Sequence, residues 1–222
     1  MAPPRAGREL KWLRISASCV VISSNGVQYA LSQFLPHLDA PLGHNQVATA
    51  ISLLICFFTL GCIFHGCFLS KHVSSPKANV LATSPLVFAL LLSPAAVRLR
   101  RPWLMQASFA LTGFGIGPSF LSAIIHLQFW LPKSPALASS VGMFFGGLGS
   151  VGMAMAIEQS IQRYGVGASF RILSLTLFGL QVGGGLFLKM PDLSTSSERN
   201  LLPSHRSKLD ARVRFAKSKD TE

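Results

Sequence analysis

Long stretches of this chain carry no charge of either sign. Residues 15–38, 40–70, 78–97, 102–132, 134–157 and 172–188 contain no Asp, Glu, Lys or Arg. Their lengths bracket the roughly 20 residues that an α-helix needs to cross a bilayer. The 20 basic and 8 acidic residues of the 222-residue chain are confined to the segments around them. A soluble domain scatters charge every few residues, because most of its helices keep one face in water. The distribution therefore excludes an ordinary soluble fold and predicts an all-α, polytopic transmembrane helical bundle of about six spans. Composition agrees, with 13% charged and 50% hydrophobic residues against about 25% charged in soluble domains.

Acid is the scarcest charge. No carboxylate falls inside an uncharged stretch, and Glu158 is the one acid between Asp39 and Asp192. General acid–base chemistry by paired carboxylates is unsupported, so no enzyme activity is expected and no cofactor is implied. Cysteine is also sparse: Cys19, Cys56, Cys62 and Cys67 all sit in apolar stretches, as small buried side chains do, rather than in an extracellular disulfide framework. Cys62, His65 and Cys67 have ligand chemistry, but on one helix Cys67 points about 140° away from Cys62. The three cannot converge on one ion, and no metal site is expected. Gly117-Pro118-Ser119 is like the nucleophile region of an intramembrane serine protease. The base is missing, because His126 lies two turns away on the same helix.

The formal charge of +12 comes from flanks and tail, where basic residues act as membrane topology signals and not as a nucleic-acid footprint. Residues 1–14 form a basic amino terminus with Arg5, Arg8, Lys11 and Arg14. A six-helix bundle is expected over 15–189, with spans at about 15–35, 46–69, 78–97, 104–130, 136–158 and 169–189. Residues 190–222 form a basic tail rich in Ser, Lys and Arg, expected to be disordered or surface-lying. Ser23, Ser24, Asn25 and Gln28 interrupt the first apolar run, which reads as a retained span and not a cleaved signal. The bias of basic residues places the amino terminus in the cytoplasm. Pro85 and Pro94 interrupt span three and an Arg98-x-Arg100-Arg101 cluster follows it, so a re-entrant segment is the alternative there. The chain is expected to be an integral multi-pass protein of the plasma membrane or an organelle membrane such as the vacuole.

Lipid cannot hydrogen-bond, so polar side chains in spans turn toward other helices or a water-filled path. At 100° per residue, Asn25, Gln28, Tyr29 and Ser32 share a sector of about 100° on span one. On span four, Gly115, Ser119, Ser122 and His126 gather within about 60°. One reading makes these strips a substrate path, with His126 as a proton or carboxylate partner. The other makes them interhelical glue at about 0.6 kcal/mol per hydrogen bond. On span five, Gly142, Gly146, Gly149 and Gly152 include a Gly-x-x-x-Gly pair that lets another backbone approach. This predicts close packing within the bundle, a homodimer seam being the alternative.

Gly113-Phe-Gly-Ile-Gly-Pro118, the turn Trp130-Leu-Pro-Lys-Ser-Pro-Ala-Leu-Ala138, the span-five glycines and Tyr164-Gly165 leading to Ala168-Ser-Phe170 resemble spans four to six of the major facilitator superfamily. The branch that this order resembles most is the monocarboxylate-transporter-like one. Gly26-Val-Gln-Tyr-Ala-Leu-Ser-Gln-Phe-Leu-Pro36 resembles its first span. The resemblance implies the amino-terminal six-helix half of a carrier for small organic acids or other small polar metabolites, working by alternating access with spans one and four lining the cavity. It also implies, as partners, the bilayer, a small-molecule substrate, and a second six-helix half or a homodimer. Ser70 stands where the family's loop motif carries an acid, and the sequence holds six spans where a complete carrier has a second half. Both departures favour the alternative of a non-transporting membrane protein, either a degenerate half-carrier or an assembly partner.

Overall fold

A computed structural model describes residues 5–70, 75–132 and 134–188, and among these every regular element is helical. The tail at 190–222, Lys71 and Lys133 lie outside the described residues. Five helices are long and apolar enough to cross a membrane: Asn45–Leu69, Lys77–Arg98, Pro102–Trp130, Pro135–Tyr164 and Val166–Leu186. They correspond to spans two to six, and the chain has the character of a multi-pass membrane protein.

Span one is built in pieces. A helix over Arg5–Asn25 is followed by a short helix Val27–Ala30, a 3₁₀ turn Leu31–Phe34 and a helix Leu35–Leu42. Pro36 has no N–H to give the Ser32 carbonyl, and it stands just where the tighter turn hands over to the last helix. Gly26 marks the first break because span five comes so close there that a Cβ would meet the Gly146 carbonyl at 2.5 Å.

Span three is one continuous helix, Ser75–Arg98, despite Pro85 and Pro94. Pro85 deprives the Leu81 carbonyl of its helical donor, and the Ser84 hydroxyl replaces it at 2.9 Å. Pro118 in span four likewise frees the Phe114 carbonyl, against which Gly61 of span two packs; a Cβ at Gly61 would stand 2.7 Å from that oxygen. Span two closes with a π-helical turn, His65–Leu69.

Span four is the central helix, with 72% of its most apolar window buried, whereas the corresponding share of span five is 11%. Span four packs on spans two and three, span one packs on spans five and six, span three packs on span six, and span one crosses span four. Exchanging one with four, two with five and three with six leaves these contacts in place, but the packing of span five on span six has no comparable counterpart between spans two and three.

The buried apolar side chains form two clusters. One holds Val27, Phe34, Phe109, Ile116, Phe170 and Leu177, with Phe34 and Phe170 stacked at 4.0 Å between centroids. The other holds Ile15, Ile22, Ala123, Ile124, Leu127 and Leu188. Between the two clusters lie buried polar side chains: Ser24 and Asn25 on span one, Ser119 and Ser122 on span four, and Gln181 on span six.

Candidate functional site

That intervening layer is a closed hydrogen-bonded node. Ser24 and Asn25 come from span one, Asn79 from span three, Ser119 from span four and Gln181 from span six, and all five are buried. The Gln181 amide donates to Asn25 Oδ1 at 2.6 Å and to Ser24 Oγ at 2.9 Å. Asn25 Nδ2 donates to Ser119 Oγ at 3.2 Å. The Ser119 hydroxyl faces two acceptors, Gln181 Oε1 at 2.6 Å and Asn79 Oδ1 at 2.8 Å. Asn79 Nδ2 donates to the Gln181 backbone carbonyl at 2.8 Å. Gly185, one turn along span six, leaves the space that Asn79 fills, since a Cβ there would collide with the amide. Under the exchange of spans, Asn25 corresponds to Ser119 and Asn79 to Gln181, so the node itself follows the arrangement of the helices.

Toward the end of the bundle that holds Trp130, a second chain of hydrogen bonds ties span four to span one. Trp130 Nε1–H donates to His126 Nε2 at 3.1 Å. An indole can only donate, so that nitrogen carries no proton and the hydrogen of the neutral ring sits on Nδ1. His126 Nδ1–H therefore donates to Ser18 Oγ at 2.7 Å, and the Ser18 hydroxyl donates to the Arg14 carbonyl at 3.1 Å. The Arg14 guanidinium lies 5.1 Å from the centre of the Trp130 ring, a cation–π contact. Both nitrogens of His126 are thus engaged, Nδ1 across to span one and Nε2 within span four.

The two sequence strips separate. Asn25 and Ser119 meet in the node, and His126 belongs to the second chain. Ser122 is buried with its hydroxyl unpartnered. Gln28 is half-buried, whereas Tyr29, 65% exposed, and Ser32 lie on the surface; the Ser32 hydroxyl donates to the Tyr29 carbonyl at 2.7 Å. Beside them a shallow recess of about 370 Å³ is lined by Gln33, Ala154, Met155, Glu158 and Gln159. Glu158 Oε2 stands 3.9 Å from His37 Nε2, and Glu158 Oε1 accepts from Gln162 at 2.9 Å.

The span-five glycines also differ from one another. A Cβ at Gly149 would collide with the Ser23 carbonyl of span one, and one at Gly142 would press on the end of the Ile124 side chain. Gly146 has only an ordinary contact with Ile22, and Gly152 faces open space. Elsewhere, Cys67 is exposed while His65 is buried, and no group of three His, Cys, Asp or Glu among the described residues could hold a metal ion. The four cysteines are free thiols.

No family model matches this chain, and no curated protein matches it.

Asn79, Gln181 and Ser24 lie outside the two polar strips. The signal available for two of them was isolation: Gln181 is the one carboxamide of the stretch 172–188, and Asn79 the one carboxamide of 78–97.

Proposed function

We propose that these six spans form one wall of a facilitator-type transporter for small organic acids or other small polar metabolites, working by alternating access. The observation that carries this reading is the exposed polar surface on the outer halves of spans one and five. Tyr29, Ser32, Gln33 and Gln159 are exposed there, beside Glu158. Polar and ionisable side chains at membrane depth face bundle interiors or water-filled paths rather than lipid, so this surface calls for a second wall and an aqueous gap. The exchange relation among the spans supports it, because nested inverted repeats of three helices are the architecture of major facilitator halves. In this reading Gln28, Tyr29 and Ser32 touch the solute. Asn25 and Ser119 are positioning residues that hold spans one, three, four and six together.

Uptake of radiolabelled short-chain monocarboxylates into proteoliposomes tests the reading. Uptake above empty vesicles is expected under an inward proton gradient, reduced by Glu158→Gln and by Tyr29→Ala. Flux equal to that of empty vesicles under both directions of gradient would sink it. A second reading, a non-transporting half-carrier or assembly partner, is favoured by the node itself, whose members all bond to one another and leave no polar group turned toward a solute. Stable association with a six-helix partner and no flux of its own would establish that reading.

A further inference from the structure

Spans three and six meet along a seam whose register is fixed by three contacts. A Cβ on Gly167 would stand 3.9 Å from Pro94, the Ser174 hydroxyl donates to the Val87 carbonyl at 3.1 Å, and Asn79 donates to the Gln181 carbonyl at 2.8 Å. Residue numbers rise on span six as they fall on span three, so the two helices run in opposite directions.

Arg98 lies one turn beyond Pro94, and Arg171 one turn beyond Gly167. Four residues carry a helix about 40° past a full circle, and because the helices are antiparallel both arginines swing to the same side of the seam. The rest of the bundle lies on the other side: Leu86 and Ala82 pack on Gly115 of span four, and Gly184 packs on Val21 of span one. Measured from Pro94 and Gly167, these three residues are turned the opposite way by about 80 to 120°. Arg98 and Arg171 therefore stand on the outward face of the bundle, and both are exposed. Cα–Cβ bonds tilt toward the amino-terminal end of their own helix. In antiparallel partners that tilt leans the two side chains toward each other, across about 12 Å along the axis between their Cα atoms.

No acid stands between these cations. The acids among the described residues are Glu9, Asp39 and Glu158, all on spans one and five, and no described side chain pairs with Arg98 or Arg171. Arg98 complements the carboxyl-terminal end of span three, but Arg171 sits in the second turn of span six, where the helix dipole gives a cation nothing. It is the one charged residue of the membrane-spanning helix Val166–Leu186. Charged side chains in spans turn to the bundle interior or to a partner, whereas Arg171 faces lipid. The group that lipid offers a guanidinium is a headgroup phosphate, reached by extending toward the interface. Further into the membrane on the same side of the seam, Leu91 and Leu175 are 48% and 67% exposed and give acyl chains an apolar surface.

We infer that Arg98 and Arg171 together clamp the phosphate of one anionic phospholipid on the outward face of spans three and six, its acyl chains lying against Leu91 and Leu175. A zwitterionic headgroup would bring a third cation to the site, so the pair selects lipids whose headgroup carries no ammonium. The clamp is separate from the polar surface assigned to transport and holds whether or not a solute crosses.

Native mass spectrometry of the purified full chain, reloaded from an equimolar mixture of phosphatidylglycerol and phosphatidylcholine, provides the test. One phosphatidylglycerol per chain is expected to survive detergent removal in preference to phosphatidylcholine. Arg98→Gln and Arg171→Gln each lower that preference about fivefold. Arg163→Gln, an exposed arginine of span five at the same end of the bundle, leaves it unchanged. Two retained lipids, of which each variant removes one, would show two separate phosphates and overturn the clamp. Equal retention of the two lipids by the unmodified chain, or full retention by Arg171→Gln, overturns it as well. So does displacement of the lipid by inorganic phosphate but not by chloride at equal ionic strength, which marks a site for a free anion.

Discussion

At the scale of single residues, the fold rests on side chains that satisfy one another where no water is at hand. Gln181 carries the most connections in the node, and Gln181→Leu leaves Asn25 Oδ1 and Ser24 Oγ without their donor. An unsatisfied buried polar group costs about 1–3 kcal/mol, whereas single interhelical hydrogen bonds in membranes average about 0.6 kcal/mol. Gln181→Leu is expected to lower stability by about 2 kcal/mol in mixed-micelle unfolding, and Ser119→Ala by less. Equal, negligible losses would show that the node is not closed. For His126, nitrogen NMR of the labelled protein at neutral pH is expected to show hydrogen on Nδ1 and a bare Nε2, the reverse assignment being incompatible with Trp130 as donor. Asn25 and Ser119 were legible because each sits on a polar strip with helical spacing. Asn79 and Gln181 were not, since a solitary carboxamide produces no periodicity and its partner lies 102 residues away.

At the scale of elements, glycine density on span five announced close packing, but spacing could not say which glycine faces which helix. The structure assigns the tight contact to Gly149 and Gly26 and leaves Gly147 and Gly152 open. Gly149→Ala is therefore expected to cut the yield of folded protein sharply while Gly147→Ala is silent, as read by monodispersity in detergent. The prolines of span three made a break plausible from sequence. A local donor, Ser84, repairs the ladder instead, and which carbonyl a serine reaches cannot be read from periodicity. Span three ends with Arg100 at φ 49°, where the Arg101 amide bonds the Ala96 carbonyl and the Arg100 amide the Val97 carbonyl, the Schellman closure that ordinarily uses glycine. Arg100→Gly removes the left-handed penalty at that position, and a gain of about 0.5–1 kcal/mol is expected in the same unfolding measurement.

At the scale of the molecule, the membrane character was legible almost entirely from where charge is missing, because placing a charge in hydrocarbon costs more than local propensity can offset. The arrangement of the spans was not legible, since every span is apolar on most of its surface and hydropathy does not select neighbours. Orientation is open to direct measurement. In a background without cysteine, Leu99→Cys in the turn after span three should react with an impermeant maleimide added to intact cells, and Ser134→Cys in the turn before span five should react only after permeabilisation. The opposite pattern would invert the bundle and put Trp12 and its basic neighbours on the outer leaflet.

Ser119 has one hydroxyl hydrogen and two carbonyl oxygens within reach, one on span three and one on span six. It can serve only one at a time. The node thus has two bonding isomers that interconvert by a single hydroxyl rotation, one pairing Ser119 with span six and the other with span three. The choice between the two outer helices is made by the smallest movement the site allows, the swing of one hydrogen, while the Asn79–Gln181 bond keeps those helices joined to each other.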